Sequence, residues 1–148
     1  MVVIRLRRAN SDDKGGMITL QVLSILSVAL LFGGMFLFAS GFGSLAFKLL
    51  EKSTARSLIR NTFPYFYLYV LINSALAAIL CYFVDATACL LLAIICATTL
   101  PNRQVLMPAI NNAADKGDKK TWGKLHGLSI FVTLIHITLA GVAITCLL

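Results

Sequence analysis

The chain is predicted to be all-α: a polytopic membrane protein with four transmembrane helices in an up-down bundle and a short amphipathic helix at 48–60. Three observations predict it. No charged side chain occurs between Lys14 and Lys48, a run well beyond the roughly 20 apolar residues that cross a bilayer core of about 30 Å. Three further apolar runs of membrane length follow. Hydrophobic residues make up 59% of the chain and charged residues only 13%, against about 25% charged in a soluble domain. A water-soluble protein of this size needs far more polar surface. The charges are confined to the first 14 residues, to 48–60, to Asp85 and to 103–124. That division gives a basic N-terminal tail, 1–16, and a four-helix transmembrane domain, 17–148.

The first span is predicted at 17–47. Ala29 with Gly33, and Ala39 with Gly43, are small-xxx-small pairs that let a second helix approach closely. The segment 48–60 repeats a cation every fourth residue, at Lys48, Lys52, Arg56 and Arg60, with Leu49, Leu50, Leu58 and Ile59 between them. This pattern reads as an amphipathic helix on the membrane surface, its cations set against anionic lipid headgroups. The second span is predicted at 61–84. Pro64 is placed in its first turn, where a missing N–H costs little. Tyr65, Phe66, Tyr67 and Tyr69 are read there as an interfacial aromatic belt. Asp85 makes a very short polar turn, so the second and third spans must be antiparallel neighbours. The third span is predicted at 86–110, with Pro101 and Pro108 positioned to kink or end it. Residues 113–124 form an aqueous loop, Trp122 sits at the interface, and the fourth span is predicted at 125–148.

Basic residues orient the bundle. The 48–60 loop holds four Lys and Arg and the 103–124 segment holds five, against four in the tail and none at the Asp85 turn or the C-terminal end. The positive-inside rule therefore puts both loops on the cytoplasm-like side, which in a mitochondrion is the matrix. The net charge of +7 is explained by lipid headgroups; nucleic acid is not expected as a partner.

Chemistry is sparse. Nucleophilic catalysis requires a nucleophile, a base and an orienting group within reach of one another, and no such ordering is present. No phosphate-binding glycine loop occurs. His126 and His136 are ten residues apart on one helix, about 15 Å of rise and roughly 80° of rotation, so they cannot share a metal or haem within one chain. His136 lies near the bilayer midplane, where an ionisable group is either functional or hydrogen-bonded to a neighbouring helix. Cys89 and Cys96 share a helix face about 10.5 Å apart, too far for a disulfide. No catalytic residue, cofactor or metal ligand is assigned. The candidate site is a polar cluster of Arg60, Asn102, Arg103, His126 and Ser129. These residues are expected at one depth near the inner interface, because both even-numbered spans start on that side and the third ends there.

Several of these residues fall in recognisable motifs. Arg60-Asn-Thr-Phe-Pro-Tyr-Phe-Tyr67 resembles the R-x-x-F-P-x-Y element of small four-helix membrane proteins related to transmembrane protein 205. Lys124-Leu-His-Gly-Leu-Ser-Ile130 is similar to that family's H-G-x-S run opening the last helix, and Asn102 to Pro108 to its N-x-x-x-x-x-P stretch. The resemblance covers about 33–139. It implies a four-helix bundle, distantly like copper-resistance membrane proteins, and marks Arg60, Phe63, Pro64, Tyr67, Asn102, Pro108, His126 and Ser129. Thr133 stands where the family often has Asn, which puts a polar site built on that Asn in doubt.

The expected function is non-enzymatic: a structural or accessory subunit of a larger membrane complex, such as a respiratory-chain assembly of the mitochondrial inner membrane. Its partners would be anionic lipids and other membrane subunits. The alternative is a small transporter or a metal- or haem-handling protein, supported by the polar cluster and His136.

Overall fold

The computed structural model describes the backbone of residues 2–148 and the side chains of residues 15–148. The expectation placed on the tail cations Arg5, Arg7, Arg8 and Lys14 lies outside the described side chains. The described residues form helices and turns, with no strand among them. α1 (Val2–Leu37) passes through a π-helical turn, Phe38–Phe42, into α2 (Gly43–Leu49). α3 spans Lys52–Cys81. α4 (Ala86–Pro101) continues through a second π-helical turn, Asn102–Leu106, into α5 (Met107–Asp115), and α6 spans Lys119–Leu147. Four helical rods are long and apolar enough to cross a membrane: Gly15–Leu49, Lys52–Cys81, Ala86–Asp115 and Lys119–Leu147. The all-α, four-helix membrane fold is the one the sequence predicts.

The element boundaries differ from the predicted ones. Helix already precedes Met17, because α1 starts at Val2. The amphipathic segment 48–60 is not a separate helix. Lys48 lies in the last turn of α2, and the chain breaks at Leu50, which is extended (φ −118°, ψ 156°). Lys52, Arg56 and Arg60 then occupy the first turns of α3, which runs unbroken through Pro64. Nothing between Arg60 and Asn61 stops a helix, and proline removes one N–H while keeping a helical φ. The third rod likewise runs past Pro101 and Pro108 to Asp115. Each proline deprives the turn before it of a donor and crowds a carbonyl. The widened turn between them accommodates this, with the Met107 N–H donating to the Asn102 carbonyl, five residues back.

The predicted aqueous loop 113–124 contracts to residues 116–118. Gly117 adopts φ 68°, a left-handed conformation open to glycine at little cost. The Asp118 N–H donates to the Ala113 carbonyl (3.0 Å) and the Gly117 N–H to the Ala114 carbonyl (3.1 Å), the paired bonds of a Schellman cap. Asp118 then caps α6, accepting from the Thr121 N–H at 3.0 Å. Hydrogen bonds from Thr121 hold the Asp118 carboxyl below the ordinary carboxylate range. A carboxyl depressed in the folded state loses its stabilising contribution as pH falls through that lowered value, so this cap persists at neutral pH.

The four rods pack in a ring. α3 is flanked by α1 and α4, and α6 by α4 and α1, so α1 lies diagonal to α4 and α3 diagonal to α6. Each helix presents a periodic stripe to the axis: Val28, Leu31 and Met35; Val70, Ala77 and Cys81; Ala88, Leu92 and Ile95; Ala140, Ala143 and Leu147. Spacings of three, four and seven are those of one helical face. At the end of the bundle where α6 finishes, Gln21 donates to the Leu147 carbonyl at 2.7 Å, using one of the carbonyls a helix end leaves unpaired.

At that same end Asp85 is the N-cap of α4. Its carboxylate accepts from the Ala88 N–H at 2.7 Å. Asp85→Asn keeps an acceptor of the same reach and is expected to leave thermal stability in detergent unchanged. Asp85→Ala is expected to lower it by about 1 kcal/mol. Equal destabilisation by both variants would show that the charge, not the cap, is what matters.

Candidate functional site

Nothing in lipid solvates a stray hydroxyl, so polar side chains in a span are satisfied internally. Most Ser and Thr of this bundle bond back to their own helix. Ser24 donates to the Leu20 carbonyl, Thr99 to Ile95 and Thr133 to Ser129, at 2.7–2.9 Å. Thr133 is thus an internal donor and adds no group to a site. Among the described residues, no fully enclosed side-chain nitrogen or oxygen lacks a partner.

Three contacts made by hydroxyl groups join different rods. The Tyr67 hydroxyl and the Ser129 hydroxyl lie 3.0 Å apart, both buried. Tyr67 belongs to α3 and Ser129 to α6, so the phenol reaches across the diagonal of the bundle. Tyr69 donates to the Leu30 carbonyl of α1 at 2.5 Å. The Thr98 hydroxyl bonds the Ile94 carbonyl at 2.6 Å and His136 Nε2 at 2.8 Å. Which of the Thr98 hydroxyl and His136 Nε2 donates is set by the imidazole tautomer. His136 is therefore an inter-helix fastener at mid-span. Thr98 was not singled out from sequence, since a threonine in an apolar run carries no signal of its partner.

Among the described residues, no hydrogen bond or ion pair joins the five residues of the predicted polar cluster to one another. Arg60 forms a two-pronged ion pair with Asp115, 2.6 and 2.8 Å, joining the start of α3 to the end of α5. Ser129 bonds instead to Tyr67, seven residues beyond Arg60 along α3. His126 stacks on Trp122, ring centroids 4.8 Å apart. Trp122 is in the first turn of α6 rather than before the helix. Asn102 is buried and has no side-chain hydrogen bond among the described residues.

Two of the five predicted residues do share a feature. Arg60 and Arg103 line one cleft of about 550 Å³ between α3 and the α4–α5 rod, at the end of the bundle opposite Asp85. Its other walls are Asn61, Pro64, Tyr65, Leu68 and Asn111. The π-helical turn at 102–106 carries Arg103, and such turns recur at functional positions. Arg103 is half-buried and has no carboxylate within ion-pair distance among the described residues. Lys48, Lys52 and Arg56, the other residues assigned to lipid headgroups, are exposed around the same end. Of the predicted aromatic belt, only Tyr65 is fully outward, at 73% exposure; Phe66 and Tyr67 are buried. Positions 65, 66, 67 and 69 cannot all face lipid, because each helical step turns about 100°.

No group of three or more His, Cys, Asp or Glu converges in metal-binding geometry among the described residues. The four cysteines are free thiols.

Residues 26–119 match the family model described as a domain of unknown function, DUF4149. That match spans more than half of the chain, which therefore belongs to this family. No curated protein and no solved structure matches the chain.

Proposed function

We propose that this DUF4149 chain is a non-catalytic, multi-pass structural subunit of a larger membrane assembly. A respiratory-chain assembly of the mitochondrial inner membrane is the setting we favour, with the Leu50 and Gly117 turns on the matrix side. The observation that carries the reading is where the bundle directs its polar and apolar groups. Tyr67, Ser129, Tyr69, Thr98 and His136 are committed to one another or to backbone, so the interior presents no reactive constellation. Between 22% and 33% of each apolar span is buried inside the chain. The remaining apolar faces meet lipid or other membrane subunits. Exposed Leu, Ile and Phe occur on all four rods, as a bundle packed among other membrane helices would have.

The alternative of a metal- or haem-handling protein draws on the resemblance to proteins related to transmembrane protein 205 and on His136. Its weakness is geometric: the Nε2 position of His136 is occupied by Thr98, and His126 faces Trp122.

The test is to extract the chain from its native membrane in mild detergent, resolve it by native gel, and record a visible spectrum of the purified chain. Comigration with stoichiometric partner subunits and a featureless spectrum are expected. A small species carrying a haem or copper band would overturn the proposal.

A further inference from the structure

The inner-end cleft brings together groups that no structural role uses up. Arg103 reaches it from the π-helical turn without a carboxylate partner among the described residues. Arg60 reaches it from α3, held in place by Asp115. Two of the guanidinium's five N–H groups go to that carboxylate, leaving others as donors. Two guanidinium charges and one carboxylate give the mouth one net positive charge. Asn61 and Asn111 add amides on either side. A planar guanidinium pair flanked by amides is suited to a phosphate oxygen cluster, which accepts two parallel N–H bonds from each arginine.

The rest of the wall is apolar. Pro64, Tyr65 and Leu68 continue along α3 from Arg60 toward the middle of the span, with Tyr65 and Leu68 open to the outside. A volume of about 550 Å³ lies within the range of small-molecule sites, about 300–1,000 Å³, and exceeds what a bare phosphate fills. The cleft thus has a cationic head at interface depth and an apolar flank running into hydrocarbon.

We infer that this cleft is a binding site for an anionic glycerophospholipid, its phosphodiester held between Arg60 and Arg103 and its acyl chain laid along Tyr65 and Leu68. A lipid whose phosphodiester is its only charge matches the single net positive charge of the mouth, whereas a zwitterionic headgroup would bring a second cation to it. Lys48, Lys52 and Arg56 enrich anionic lipid near the same surface, while the cleft selects one molecule from it. The site is independent of the subunit proposal and needs only that the chain spans a membrane.

The full chain, purified in detergent, is titrated with phosphatidylglycerol, with phosphatidylcholine and with inorganic phosphate, and bound lipid is counted by native mass spectrometry. One phosphatidylglycerol is expected to survive at concentrations where phosphatidylcholine does not, and inorganic phosphate is expected not to displace it. Arg103→Gln should weaken retention by about tenfold or more, the loss of a charge-assisted pair. Arg103 has no carboxylate partner among the described residues whose loss would unfold the bundle. Equal retention of the two lipids, or an unchanged Arg103→Gln variant, would overturn the proposal. Displacement by millimolar phosphate would replace the lipid with a free anion and overturn it too. A second measurement needs no variant. Phosphatidylglycerol carrying a photoreactive acyl chain should crosslink to peptides containing 64–68; adducts spread evenly around the bundle would contradict the site.

Discussion

Replacing Phe66 with alanine is expected to cost the bundle about 3 kcal/mol, the lower end for removing a buried phenyl ring. Phe66 is 7% exposed and lies face to face with Phe38 of the first rod, centroids 4.0 Å apart and planes 9° apart. Phe38 also stacks on Phe42 at 4.9 Å and meets the edge of Phe63 at 5.4 Å. One ring thus fastens α3 to the π-helical turn of the first rod. Lipid tails are as apolar as phenylalanine, so the loss comes from packing and not from exposure to water. That is why the low end of the range applies. Reversible unfolding in mixed micelles measures it. Tyr65→Ala, at a 73% exposed position on the same turn, should change stability by less than about 0.5 kcal/mol. Equal losses at the two positions would mean that the stacked cluster does not hold the rods together.

The second large effect is expected at Gly34. A Cβ built there would collide with the Tyr69 phenol, whose hydroxyl donates to the Leu30 carbonyl of the same rod. Gly34→Leu must push the ring off the helix and break that bond, an overpacking cost of about 1–3 kcal/mol. Gly33, one residue earlier, has nothing within 4 Å of a built Cβ. Gly33→Leu is therefore expected to be near neutral. Matching unfolding curves for the two variants would refute the close approach of Tyr69.

That contrast shows what the sequence could and could not reveal. Small-xxx-small spacing marks Gly33 and Gly43 as packing positions, yet both face open space within this chain. The residue that does admit a neighbour, Gly34, is outside the pattern, because the group that approaches it is a single phenol and not a whole helix. The class and number of spans were legible because an uncharged run longer than a bilayer allows few alternatives. The ends of the rods were less legible. Pro64, Pro101 and Pro108 read locally as boundaries, but helices in these positions absorb them by a proline-compatible turn or by π widening. The basic segment before Arg60 was legible as amphipathic and helical, though not as part of α3.

Pairing was legible in part. Tyr67 and Ser129 both belong to the motifs noted in the sequence and meet across the bundle. Their contact depends on helix phase, which spacing alone does not supply for rods far apart in the chain. Asp115 was placed in the aqueous loop and Asn111 at the end of a span, so neither was joined to Arg60. The continuous run of α5 to Asp115 brings Asn111 to the cleft that Arg60 lines and Asp115 into an ion pair with Arg60.

The inner face stands on one claim: the Leu50–Glu51 and 116–118 turns lie on the same side of the membrane. The Arg60–Asp115 ion pair, the Arg60–Arg103 cleft and the lipid site all require it. Single cysteines at Ser53 and Gly117, probed in sealed vesicles with a membrane-impermeant thiol reagent, test it most directly. Both positions should label from one side of the vesicle and stay protected from the other. Labelling from opposite sides would contradict the four-span bundle and everything placed at its inner end.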